Sequence, residues 1–220
     1  MKKLILTTAM AVILPFSASA QNDQMTPYTE MPAGNYSLDK THASLIWKVS
    51  HIGLSNYTAR FTDFDADLTY HPEDPAKSTL IVTVDPASLE TDYPNIEKED
   101  FDKKLSEGKD WFNTNEYPDI KFVSKEISLN DDKTGTVTGD LTFLGVTKPL
   151  TLNVTYNGSF REKPFVGIPA FGFSATGTLM RSEWGFDTYI PGIGDQVDLV
   201  IEAEFHKDQT ENANTEKDSE

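Results

Sequence analysis

The chain has 220 residues, no cysteine and a formal net charge of −16. So acidic a balance argues against nucleic acid and against an anionic membrane surface as partners. The missing cysteines remove disulfides, thiolate metal sites and haem attachment through Cys-x-x-Cys-His. One sizeable apolar interior must therefore hold the fold, and a chain of this length can bury one.

In chain order, the first feature is a leader. Lys2 and Lys3 precede an apolar run from Leu4 to about Phe16, and Ala18-Ser19-Ala20 supplies a small-x-small cleavage site. Residues 1–20 are expected to be a signal peptide, and the mature protein to be periplasmic or secreted. The apolar run is too short to span a bilayer, which takes roughly 20 apolar residues, and no later stretch qualifies, so no integral membrane segment is expected. Residues 21–32, polar and carrying Pro27 and Pro32, read as an irregular lead-in. The stretch from residue 207 to 220 is charged and almost without apolar residues, which predicts a disordered acidic tail. A single domain over 33–206 remains.

Inside it the dominant signal is an alternation of apolar and polar residues with period two. From Ala43 to His51 one face carries Ala43, Leu45, Trp47, Val49 and His51. The other carries His42, Ser44, Lys48 and Ser50, with Ile46 as the exception. His42 and His51 are nine positions apart, so in a strand their rings point to opposite faces, roughly 30 Å from one another. One metal ion cannot bind both, and no metal site is expected. Similar alternation runs through 61–70, 78–84, 136–143, 150–156, 171–179 and 197–205, with Asn157-Gly158 and Thr134-Gly135 read as turns. His71 precedes Pro72 in a turn, and His206 begins the tail.

One helix interrupts the strands. "NIEKEDFDKKLSEG" has Asn95 as N-cap, early acids, Phe101 and Leu105 four apart, and Gly108 at its end. A second short turn follows near Asp110. So little helix cannot cover a large sheet. The sheet must cover itself, as a closed barrel of about eight strands or as a sandwich, and closure also removes exposed edges. The fold class read from the pattern is all-β, an antiparallel barrel with one or two short helices.

Hydrolytic signatures are missing. There is no Gly-x-Ser-x-Gly elbow, and "PGIGD" lacks the following helix that a phosphate loop needs. Asp63, Asp65 and Asp67 fall on a solvated strand face. The apolar face itself is what remains, and its residue types suit a packed core and a lined cavity equally. Gly139, Gly172 and Gly177 inside strands mark bends or free space.

Five segments taken together resemble one family: "YSLDKTHASLIWKVSHIG", "ARFTDFDADL", "WFNTNEYPDIKFVS", "GDLTFLGVTKPLTLNV" and "RSEWGFDTYIPGIGDQVDLVIEAEF". In this order they look like the YceI-like family of exported bacterial proteins, over nearly all of 35–205. The resemblance implies an extended lipocalin-like antiparallel barrel whose interior holds a long isoprenoid chain, a polyprenyl or quinone-type lipid, with no established catalytic activity and no cofactor. Two positions depart from the family pattern, Ala59-Arg60-Phe61 and Glu183-Trp184-Gly185, and larger side chains there would narrow the cavity.

The expected ligand-binding set is Leu45, Trp47, Val49, Leu141, Phe143, Leu150, Leu152, Phe171, Phe173, Leu199 and Ile201 on the inward faces, with His51 and Arg181 for a polar head group. For His51 the alternative is a core histidine bonded to its own protein, and for Arg181 a salt bridge with Glu183 or Asp187. The competing functional readings are an enzyme on an apolar substrate with His51 as acid-base, and a ligand-free structural or stress protein. A homodimer is also among the expectations.

Overall fold

The computed structural model describes residues 25–131 and 133–209. The expected leader, residues 1–20, lies outside them, as does the tail beyond residue 209. Among the described residues ten strands form: β1 Gly34–His51, β2 Ser55–Phe61, β3 Phe64–Tyr70, β4 Thr79–Val84, β5 Leu89–Glu90, β6 Ile120–Leu129, β7 Thr134–Phe143, β8 Val146–Phe160, β9 Ala170–Met180 and β10 Ile193–Lys207. One helix, α1, spans Phe101–Glu107.

Every pairing is antiparallel, and β10 pairs with β1 to close an eight-strand barrel in the circuit β1-β10-β9-β8-β7-β6-β4-β3. Strand β2 lines up beyond β3 along the same β1. The first residues of β1 pair with β3 (Tyr36 with Leu68) and the last with β2 (Trp47 with Ala59). The stretch 61–70 that alternates in the sequence is thus broken at Thr62-Asp63. There Ser88 binds the backbone: its hydroxyl accepts from the Asp63 N–H, and its carbonyl accepts from the Thr62 N–H.

The register of β1 against β10 slips between Leu38 and Ala43, so Asp39 to His42 bulge from the ladder. Such a bulge adds bend and twist, which a closing sheet needs.

Local chemistry places the turns. Leu144 and Gly145 both have positive φ, the requirement of the two-residue hairpin loop that joins β7 to β8. Asn157-Gly158 and Thr134-Gly135 are not turns. Asn157 lies at a register slip inside β8, with Gly158 at φ +151°, and Gly135 lies inside β7. The real β6–β7 turn forms because the Asp131 carboxylate accepts the N–H groups of Lys133 and Thr134, at 2.8 and 2.6 Å.

The helix is shorter than its sequence pattern predicts. Its N-cap is Asp100, whose side chain accepts the Lys103 N–H at 3.0 Å. The Asn95 carbonyl instead accepts from Lys98 and Glu99 in a separate turn.

The two ends of the barrel are closed differently. Beyond the C-terminal end of β1 lie α1, the segment after it and the β9–β10 connection. Rings of Phe112, Phe143 and Phe186 meet there at 5.3–5.9 Å. At the opposite end Tyr36 and Tyr70 pack on Phe171 at 4.9 and 4.8 Å.

The described part of the lead-in, residues 25–32, packs into this second closure. Thr26 donates its N–H to the Ser159 carbonyl at 2.8 Å, Met31 is 2 % exposed, and Tyr28–Glu30 make a 3-10 turn. The hydroxyls of Tyr36 and Tyr70 bind the carbonyls of Pro32 and Tyr28, both at 2.7 Å. Burial of the Tyr70 phenol pushes its pKa up to about 12.

Candidate functional site

The alternation of each strand sends one set of side chains inward, and eight closed strands turn that set into a wall. Two cavities lie within it. The upper one, about 170 Å³, sits beneath α1 and is lined by Trp47, Val49, Leu105, Trp111, Phe112, Phe143 and Phe186 among others. The lower one, about 200 Å³, reaches toward the lead-in and is lined by Tyr28, Leu68, Tyr70, Phe171, Phe173 and Phe205 among others. Both are lined by Leu45, Val82, Leu152 and Ile201, so they meet at a waist midway along the barrel. Together they reach the lower end of the usual ligand-pocket range, roughly 300–1,000 Å³.

Both walls are almost wholly apolar, and the cavities differ in the residues at their openings. The upper cavity presents an apolar surface throughout. The lower one has a polar rim at the β6–β7 turn and near β4, made by Ser78, Ser128, Asp131, Lys133 and Thr134. Hydrogen bonds from the backbone hold the Asp131 carboxyl below the ordinary carboxylate range, so it carries charge on that rim.

The structure brings twelve of the thirteen residues named from the sequence to these walls, eleven as their parity predicts and Arg181 from just beyond the end of β9. Leu45, Trp47, Val49, Leu141, Phe143, Leu150, Leu152, Leu199 and Ile201 line the upper cavity. Leu45, Leu152 and Ile201 also line the lower one, together with Phe171 and Phe173. Ile46, the sequence exception, is exposed.

His51 is a correction. It is exposed and lines neither cavity, so it is not a core histidine. It shares the parity of Val49, but it ends β1 where the ladder slips: Val49 faces Val197 and His51 faces Ile193. It is still paired there with Ile193, which lines the upper cavity, and with Ser55, at the last position before the β1–β2 turn.

Arg181 is the second correction. It is 3 % exposed and forms no ion pair with Glu183 or Asp187 among the described residues. Its guanidinium donates to four backbone carbonyls, those of Gly194, Phe186, Thr188 and Ile193, at 2.8–3.1 Å. Burial lowers its pKa, while Asp195 and Asp187 raise it from a distance. With four of its five N–H groups engaged, it pins the β9–β10 connection over the upper cavity rather than offering a charge to a ligand.

Residues missed from the sequence include Trp111, Phe112 and Leu105 from the α1 segment, Val82 from β4, and Tyr28 from the lead-in. Trp111 and Phe112 stand in "WFNTNEYPDIKF", and Leu105 in the apolar pair of α1. Neither could be assigned to the lumen before the segment was seen folded over the barrel end. Trp184 lines neither cavity, so its bulk does not narrow the lumen.

A polar cluster occupies the outside of the β1 bulge. Lys163 donates to Glu204 at 2.5 Å, to His206 Nε2 at 2.9 Å and to Asp39 at 3.4 Å. His206 therefore belongs to β10 and to this cluster rather than to a tail. Asp39, Glu204 and His206 have the spacing of a metal-ligand set, but their acceptors already converge on the Lys163 ammonium. Burial raises the Asp39 pKa, but hydrogen bonds from Thr41 and His42 and the charge of His206 outweigh it and hold the carboxyl well below its usual range. Burial and Lys163 together lower the pKa of His206.

Fold and interior define a class: a closed antiparallel barrel of lipocalin type with an apolar, two-part lumen. The chain belongs to the YceI-like family, whose domain matches residues 36–205. A UPF0312 protein of Pseudomonas putida (strain F1) is 36 % identical over 192 residues, covering 86 % of this chain and 95 % of that one. A UPF0312 protein of Photorhabdus laumondii is 36 % identical over 174 residues, covering 78 % and 86 %. Among solved structures, the Campylobacter jejuni YceI protein superposes with a TM-score of 0.61 at 29 % identity, covering 74 % of this chain and 91 % of that one. A domain of Saccharophagus degradans described as polyisoprenoid-binding shares the fold at a TM-score of 0.52 and 13 % identity, covering 80 % and 100 %. Among the described residues no helix is long and apolar enough to cross a membrane.

Proposed function

We propose that this protein is exported and holds a long isoprenoid chain, of polyprenyl or quinone type, inside its barrel. The observation that carries the reading is the pair of apolar cavities meeting end to end inside a closed wall. A branched hydrocarbon chain gains about 0.8 kcal/mol for each methylene moved from water into such a space. The fold shared with a polyisoprenoid-binding domain supports the same reading.

Polarity sets the orientation. A head group belongs at the lower opening, where Ser78, Ser128, Asp131 and Lys133 stand, because Arg181 in the lining of the upper cavity already gives four of its N–H groups to backbone carbonyls. The tail then points toward Trp47 and Trp111. The role goes to binding rather than turnover, since the acid-base candidate His51 is exposed and lines neither cavity.

The test is solvent extraction of protein purified from its native host, followed by mass spectrometry. Recovery of an isoprenoid lipid in near-stoichiometric amount is expected, and recovery of none would overturn the reading. N-terminal sequencing of the mature protein, with Gln21 expected first, tests export.

A further inference from the structure

We propose that Leu152, opposed by Gly177, sets how far a bound chain penetrates the barrel, and so which lipid lengths it accepts. The proposal rests on the lipid-holding reading and goes beyond it by naming the length-determining residues. Both cavities share a waist of Leu45, Val82, Leu152 and Ile201, contributed by four different strands. A chain lodged in the lower cavity must pass these four side chains to reach the upper one.

Leu152 is the member of the waist with a permissive neighbour. Gly177 on β9 pairs with Leu152 on one side and with Leu199 on the other, so its missing side chain would point into the lumen with theirs. A Cβ added there would lie 2.7 Å from Leu152 Cδ2 and 3.7 Å from Leu199 Cδ1. The absence of that one carbon lets the Leu152 side chain lie back against the wall. With a side chain at position 177, Leu152 would be driven toward the axis and the waist would narrow. Gly177 has no positive φ and so is not required by its backbone conformation. Its smallness serves the space beside Leu152.

The waist also has its own reporter. Trp47 and Trp111 line the upper cavity, and no tryptophan lines the lower one. Indole emission therefore reports a chain that has crossed the waist and stays silent for one that has not.

The experiment uses the mature full-length protein as wild type, Leu152→Ala, Leu152→Phe and Gly177→Ala, each checked for fold by circular dichroism and melting. Farnesol and the longer solanesol are titrated, with the thermal shift reporting binding and tryptophan emission reporting the upper cavity. Each methylene gained or lost from burial changes affinity roughly fourfold. The solanesol-to-farnesol affinity ratio is therefore expected to rise about tenfold or more in Leu152→Ala, and to fall by as much in Leu152→Phe and Gly177→Ala. In the narrowed variants farnesol still shifts the melting temperature, but the emission response to solanesol is lost. An unchanged ratio and emission response in Leu152→Ala and in either narrowing variant that folds would overturn the proposal. If neither prenol binds the wild type, the lipid-holding reading falls and takes this one with it.

Discussion

Arg181 donates from Nη1 to the Phe186 carbonyl at 2.8 Å, and its guanidinium lies 5.2 Å from the centre of that same residue's ring. One side chain thus grips both the backbone and the ring that closes the barrel. Arg181→Met would strand four carbonyls at once. Hydrogen bonds to a charged group contribute about 1.5–3 kcal/mol each, so a loss of about 3 kcal/mol or more is expected in urea unfolding. Arg181→Lys should rescue little, because an ammonium has three donors and no planar fork. A variant that unfolds like wild type would show that the guanidinium does not hold this end.

His51 yields the opposite expectation. It is exposed and outside both cavities. His51→Ala should leave lipid content unchanged and stability within about 0.5 kcal/mol, as surface substitutions usually do. Loss of lipid from this variant, measured by extraction and mass spectrometry, would return His51 to the site.

The indoles of Trp47 and Trp184 make a matched comparison. Trp184 donates to the Leu141 carbonyl at 3.1 Å, whereas the Trp47 N–H is buried with no partner among the described residues. An unmade buried hydrogen bond costs about 1–3 kcal/mol. Trp47→Phe removes that cost while losing some packing, and should lie within about 1 kcal/mol of wild type. Trp184→Phe loses the bond and leaves a void, and should cost about 2–4 kcal/mol. Equal losses in chemical denaturation would contradict the assignment.

Acid should weaken the β1 bulge. The pKa of His206 is lowered in the folded protein, so between that value and about 6.5 the unfolded chain binds more protons. Stability therefore rises with pH across this window and is lost as pH falls through it. The lowered Asp39 pKa acts in the same direction at more acidic pH. His206→Gln should flatten the upper part of the curve, just below about pH 6.5, and reduce the Asp39 part only by the contribution of the His206 charge. Urea midpoints measured across that range for both proteins check this, and parallel curves would remove His206 as the cause.

Much of the barrel was legible because period two is enforced locally. Each of Leu45, Trp47 and Val49 had to share a face, whatever the strand paired with. Parity could not say that the last residue of β1 is exposed, so His51 was counted with the inward face that ends at Val49. Nor could it say what a buried arginine touches. The partners of Arg181 are main-chain carbonyls, which have no signature in residue type. The turns at Asn157-Gly158 and Thr134-Gly135 failed for a related reason: glycine also marks bulges and close strand contacts, and only pairing distinguishes them.

By itself, then, the sequence determined the all-β class, the inward faces and the family, through alternation that each strand carries within itself and motifs read in order. Only the tertiary structure decided that the lumen is divided at a waist, that α1 and the lead-in close its ends, and that Gly177 yields space to Leu152. Those relations join residues from strands far apart in the chain. They come into being when the sheet closes and β10 meets β1.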